Sequence, residues 1–108
     1  PVYGEGMNIR EWIHVYDHNL AVWAVATKGK NGVYNIGSGL ELSNIELVDK
    51  ICKILGKDLD ESVRFVEDRL GHDFRYSIDF SKIQEELFYE PLYKDFNQQL
   101  EKLVEEYD

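Results

Sequence analysis

Apolar positions recur at helical spacing in three stretches of this chain and as short β-branched or aromatic runs in three more. Ile45, Val48, Ile51, Cys52 and Leu55 fall on one face, with Glu46, Asp49, Lys50 and Lys53 elsewhere, which predicts an amphipathic helix. Its start is written locally. Ser43 and Glu46 have the spacing of a capping box, flanked by Leu42 and Leu47 as a hydrophobic staple, and Gly56 closes the helix at C′. Leu20 to Ala26 are apolar all round, which predicts a helix buried on most sides, capped by Asp17, running to about Thr27 and ended by Gly29 and Gly32. Asp79 is placed to cap a short helix with Phe80, Ile83 and Leu87 inward, ended before Pro91. Asp95 is placed to cap a last one with the stripe Phe96, Leu100, Leu103, Val104 and Tyr107.

Between these helices, residues 12–16 predict a short extended segment. Val33 to Ile36 predict a buried strand stopped by Gly37 and Gly39, and Val63 to Val66 a second strand. Gly4 and Gly6 mark an opening loop, and residues 67–75 are too polar to pack as an element. The expected fold is mixed α/β (α+β): a small sheet of short strands with about four helices, one domain over 1–108.

Composition narrows the function. The chain has 108 residues, the length of one domain. An apolar fraction of 44% with 13% aromatics supports a real core. A formal charge of −9 speaks against nucleic acid, which needs a basic face. One cysteine, Cys52, excludes a disulfide framework and a cysteine-based zinc site, and its place in an apolar stripe makes it a small buried hydrophobe. No apolar run approaches a membrane span. The expectation is an acidic, cytosolic domain. It opens on Pro1 with no initiator methionine, so a piece of something longer is expected.

The chemistry sits in loops. All four arginines (Arg10, Arg64, Arg69, Arg75) fall in predicted loops or strands, where a planar guanidinium can hold an oxyanion or pair with one of the 21 acids. Asp68-Arg69-Leu70-Gly71-His72-Asp73 is the densest segment, placing two acids, a guanidinium and an imidazole directly after a strand. Gly4-Glu-Gly6 and Gly37-Ser-Gly39 each lack the third glycine of a dinucleotide fingerprint. His14 and His18 are spaced i, i+4, but Val15 stands where a metalloprotease pair needs glutamate, so both are expected to be structural and no metal site is expected.

Four strings carry a resemblance: Pro1-x-Tyr3-Gly4-x-Gly6, Arg10-Glu11-Trp12-Ile13-His14-Val15-x-Asp17-His18, Tyr34-Asn35-Ile36-Gly37, and Asp68-Arg69-x-Gly71-His72-Asp73-x-Arg75-Tyr76. Nearly the whole chain resembles the C-terminal part of dTDP-glucose 4,6-dehydratases, in the extended short-chain dehydrogenase/reductase superfamily. The last string discriminates them from other nucleotide-sugar epimerases and dehydratases; Leu70 stands where the family usually has proline, which loosens the loop. The resemblance implies a nucleotide-sugar-binding domain with substrate contacts at Pro1, Tyr3, Arg10, Asn44, Arg69 and His72, and dTDP-glucose or dTDP as ligand. Family enzymes oxidise the glucose C4 with NAD, eliminate water across C5–C6 and return the hydride to C6. They use a Tyr-x-x-x-Lys pair, a Thr and an Asp-Glu pair of the preceding Rossmann domain. None of the seven tyrosines here has lysine four residues on. The resemblance therefore implies a substrate domain with no catalytic residues, inactive alone, with NAD held mainly by a Rossmann domain absent from this chain. It also implies a homodimeric complete enzyme joined mostly through that domain. The other readings are the same domain of a different NAD-dependent nucleotide-sugar epimerase or dehydratase, and a non-catalytic interaction module.

Overall fold

The capping box at Ser43 forms as its spacing demands. The Glu46 amide donates to Ser43 Oγ at 3.2 Å, and the Ser43 amide donates to Glu46 Oε2 at 2.8 Å. The helix runs over Asn44–Leu55 and ends at Gly56, whose φ of 65° is left-handed. Cys52 is buried in it, as its apolar stripe requires. A computed structural model describes residues 1–107 and places this helix among nine elements. In order they are β1 (Val2–Tyr3), β2 (Ile9–Glu11), α1 (Val15–Lys28), β3 (Glu41–Ser43), α2 (Asn44–Leu55), α3 (Leu59–Ser62), β4 (Phe65–Val66), α4 (Ser81–Leu87) and α5 (Phe96–Tyr107). The fold is mixed α/β, as expected. The small sheet is in fact two, β1 with β4 in parallel and β2 with β3, and there are five helices, the unexpected one being the single turn α3.

The chain divides into two units. The first gathers Pro1–Arg10, Glu41–Tyr76 and the segment from Asp95. In it α5 packs along α2, with Leu100 buried. Asp95 begins α5 as predicted, its Oδ1 accepting from the Gln98 amide at 3.1 Å. The apolar stripe of α5 is only partly covered, since Leu103 and Tyr107 stay exposed.

The second unit, Glu11–Leu40 with Ser77–Lys94, is built on Ala21, Ile83 and Tyr89, ringed by Ile13, Val25, Tyr34, Ile36, Phe80 and Leu87. Four expectations are corrected here. His14, not Asp17, is the N-cap of α1: its Nδ1 accepts from the Tyr16 amide at 3.1 Å. Asp17 lies one turn deeper, 1% exposed, and its two carboxylate oxygens accept from the amides of Leu92 (2.8 Å) and Tyr93 (3.1 Å). Second, α1 is not buried on most sides. Ala21 and Asp17 are its buried residues, while Tyr16, Leu20, Val22 and Trp23 are exposed, because this unit packs against one side of the helix. Third, Val33 to Ile36 form no strand; Tyr34 and Ile36 reach the core from irregular backbone. Fourth, the extended segment expected at 12–16 lies earlier, as β2, and α1 begins at Val15. The short helix α4 does turn Ile83, Leu87 and Phe80 inward. Phe80 occupies its N-cap, and Asp79 supplies the capping acceptor for the Ser81 amide at 2.9 Å. That bond holds the Asp79 carboxyl below its ordinary value.

Candidate functional site

Short strands bring the polar loop of the first unit to its partners. The amides of Val2 and Gly4 donate to the carbonyls of Arg64 (2.8 Å) and Val66 (2.9 Å), which sets Tyr3 beside the point where the loop leaves β4. Farther on, Ile9 donates to Phe74 O at 2.6 Å and accepts from the Tyr76 amide at 3.0 Å, bridging in parallel to Arg75. The loop is thus strapped to β1 at its start and to β2 at its end. Between the straps it turns at Leu70-Gly71. The His72 amide donates to Arg69 O at 3.3 Å, and Gly71 takes φ +72°, a conformation that glycine reaches at little cost.

Arg10 and His72 meet in the middle. Arg10 Nη2 lies 3.0 Å from His72 Nε2 and donates to Asp73 O at 3.1 Å, while Nη1 donates to its own Ile9 O at 2.8 Å. The guanidinium lies over the Tyr76 ring at 4.4 Å, a cation–π placement. His72 Nδ1 is 2.6 Å from Asp68 Oδ1, and the imidazole side chain is 5% exposed. The Tyr3 ring meets that of His72 edge-on at 5.8 Å. Tyr76 gives its hydroxyl to Asp73. That bond, aided by the Asp73 charge and slight burial, raises the Tyr76 phenol above its ordinary value against the opposing pull of Arg10 and Arg69.

Of the expected residues, Tyr3 and Arg10 each contact His72, and Arg69 is close enough for its charge to act on Tyr76. The Arg69 side chain is exposed and has no hydrogen bond or ion pair among the described residues. Asn44 is half-buried at the first turn of α2, where its amide donates to Asn8 O at 3.0 Å. Asn8 is a member that sequence reasoning missed. Its buried side-chain amide donates to Asp73 O at 3.1 Å and so ties the start of α2 to the polar loop. A short polar residue between two apolar ones, Met7 and Ile9, was the available signal. Pro1 is exposed at the head of β1. Arg75 takes the ordinary alternative for an arginine, a two-pronged pair with Glu41 at 2.7 and 2.8 Å. The cluster therefore offers two cationic groups, Arg10 and Arg69, beside directional donors on exposed backbone turns.

The Gly4–Gly6 turn lacks the features of a dinucleotide cradle. It leads into β2 rather than a helix, and Asp68 Oδ2 lies 3.4 Å from where a side chain on Gly4 would begin, an acid where a diphosphate would need donors. Among the described residues no helix is long and apolar enough to cross a membrane.

Comparison with known proteins gives a consistent relationship. The family described as GDP-mannose 4,6 dehydratase matches residues 1–105. A dTDP-glucose 4,6-dehydratase of Streptomyces griseus is 52% identical over 92 residues, 84% of this chain and 28% of that protein. The low-salt glycan biosynthesis protein Agl12 of Haloferax volcanii is 49% identical over 108 residues, 99% of this chain and 34% of that protein. Among solved structures, DesIV, a dTDP-glucose 4,6-dehydratase from Streptomyces venezuelae with NAD and TYD bound, superposes with a TM-score of 0.93 at 46% identity, covering 99% of this chain and 33% of that one. A UDP-glucose 4-epimerase of Thermotoga maritima with UDP-glucose superposes with a TM-score of 0.85 at 28% identity, covering 98% and 34%. The chain spans about a third of the length of the relatives it matches. Over that third, from the β1 turn to the last helix, it belongs to the GDP-mannose 4,6 dehydratase family.

Proposed function

We propose that this chain is the nucleotide-sugar-binding part of a dTDP-glucose 4,6-dehydratase, the enzyme that converts dTDP-glucose to dTDP-4-keto-6-deoxyglucose and water in deoxysugar biosynthesis. The observation that carries this reading is the convergence of Tyr3, Arg10 and His72, with Arg69 alongside, in a chain about half identical to enzymes of that name. Arg10 and Arg69 supply the positive charge a diphosphate needs, and Tyr3, Asn44 and the loop around His72 supply direction. Pro1 borders the same ligand. The overall −9 weakens attraction at long range, so binding depends on this local pair.

In this reading the whole of 1–108 is the substrate domain and takes no direct part in hydride or proton transfer. NAD supplies the oxidation and reduction and is held by a Rossmann domain of the complete protein. The exposed apolar face of α1, with Leu20 and Trp23, is a surface of the kind that such a domain covers. A cytosolic, homodimeric complete enzyme belongs to the same reading. The similarity to a UDP-glucose 4-epimerase favours, as second choice, the same domain serving another nucleotide sugar; its lower identity of 28% ranks it second.

Saturation-transfer NMR of the 108-residue chain with dTDP, UDP and GDP tests this. Binding of dTDP at about millimolar Kd, near −4 kcal/mol, with weakening in Arg69→Ala, is the expected result. Equal or tighter binding of UDP points to the second reading, and no binding of any of the three overturns both. The chain supplied with NAD and dTDP-glucose is expected to form no 4-keto-6-deoxy product; product formation would overturn the division of labour.

A further inference from the structure

We propose that His72 acts on the bound ligand through Arg10 rather than by touching it: Asp68, His72 and Arg10 form a relay whose function is to aim the Arg10 guanidinium. This rests on the assignment of the cluster as a nucleotide-sugar site and gives His72 a defined role within it.

The argument is one of proton inventory. A guanidinium has donors and no acceptor, so in the 3.0 Å contact Arg10 Nη2 donates and His72 Nε2 accepts. Nε2 therefore carries no proton, and the proton of the neutral ring is on Nδ1. Nδ1 faces Asp68 Oδ1 at 2.6 Å, and a carboxylate accepts. Both ring nitrogens are thereby used within the protein. With the side chain 5% exposed, His72 has no polar atom left for a ligand. Arg10 is different. Three of its five N–H groups are committed, to His72, Asp73 O and Ile9 O, and the plane is set over Tyr76. Two N–H groups remain without a protein partner among the described residues, fixed in direction by the other three. Asp68 is anchored in turn, since its Oδ1 also accepts from the Arg69 amide at 2.9 Å. One carboxylate thus fixes the backbone at the Arg69 turn and the tautomer of the ring that aims Arg10. The groups facing the imidazole are Asp68, Arg10 and the edge of Tyr3; Asp73 and Arg69 are its neighbours on the loop.

Two measurements decide this. The first needs no ligand: long-range ¹H–¹⁵N correlation of the imidazole rings in the unmodified chain. The relay requires His72 in the Nδ1–H form; the Nε2–H form overturns it. The second is a set of dTDP titrations read by amide shifts. In His72→Gln the side-chain oxygen can stand where Nε2 accepted, so dTDP binding is expected to stay within about threefold of the parent. In His72→Asn the shorter side chain reaches toward Asp68 but not Arg10, and binding is expected to weaken by about tenfold, the size of one hydrogen bond to a charged group. In an Arg10→Ala background, His72→Asn is expected to have no further effect. A further loss of about tenfold there would show that His72 touches the ligand itself and would overturn the proposal. If dTDP fails to bind the parent, the nucleotide-sugar assignment fails, and the ring tautomer still decides the relay.

Discussion

Removing the Asp17 carboxylate should cost this protein a large part of its stability. The side chain is 1% exposed, and its two oxygens each accept a backbone amide, from Leu92 at 2.8 Å and Tyr93 at 3.1 Å. A hydrogen bond to a charged group contributes about 1.5–3 kcal/mol, and a buried donor left without its acceptor loses a similar amount. Two such bonds give about 3–6 kcal/mol for Asp17→Ala. Removing a desolvated charge returns part of this, so a net loss of about 2–4 kcal/mol is expected. Domains of this size are stable by about 5–15 kcal/mol, and each kcal/mol moves the Tm by about 4–8 °C. Asp17→Ala should therefore lower the Tm by roughly 10 °C or more. Asp17→Asn keeps one accepting oxygen and turns an NH₂ toward the second amide, so it should fall between the parent and the alanine variant. Urea denaturation of all three, followed by circular dichroism, gives the values. A loss below about 1 kcal/mol for Asp17→Ala would refute the reasoning, since it would mean the Leu92 and Tyr93 amides find water as readily as the carboxylate.

Three other outcomes follow from single contacts. Ser43→Ala removes half of the capping box of α2 and should destabilise by about 1 kcal/mol; an unchanged or raised Tm would contradict the assigned helix start. Leu70 is fully exposed at the second position of the Arg69–His72 turn, so Leu70→Pro should stabilise by about 0.4–1 kcal/mol by restricting the unfolded chain, and a lowered Tm would show that the turn geometry is misassigned. Burial, with the charge of Asp17 nearby, pushes the Tyr89 phenol up to about 12. The unfolded chain ionises this group near 10, so its contribution to stability is intact below that pH and declines between about pH 10 and 12. Tyr89→Phe should remove that part of the alkaline decline, which urea midpoints across the range would show.

Features fixed by near neighbours were legible in the sequence. The α2 cap, its Gly56 stop and the buried Cys52 depend on residues within a few positions of one another. The loop 68–73 was legible as a dense polar segment, and its Asp68, His72 and Asp73 do join one hydrogen-bond cluster with Arg10. Features set by distant partners were not. Asp17 looked like a cap because an acid before an apolar run often is one; its partners stand 75 and 76 positions away. Val33 to Ile36 have strand composition, but a strand exists only where a second backbone offers its hydrogen bonds, and none is paired with it. The apolar run Leu20 to Ala26 signalled burial without saying that this unit would cover one side of α1 alone. The division of roles between Arg10 and His72, 62 positions apart, is invisible until the direction of their hydrogen bond is known.

The central claim is that the surface around Arg10 and the 69–72 turn receives a nucleotide sugar. Mapping amide chemical-shift changes on titration of the 108-residue chain with dTDP tests it most directly. Changes clustered at residues 3–10, 44 and 69–72, reduced in Arg69→Ala, are the predicted result. Changes that map instead to the last helix, Phe96–Tyr107, would contradict it.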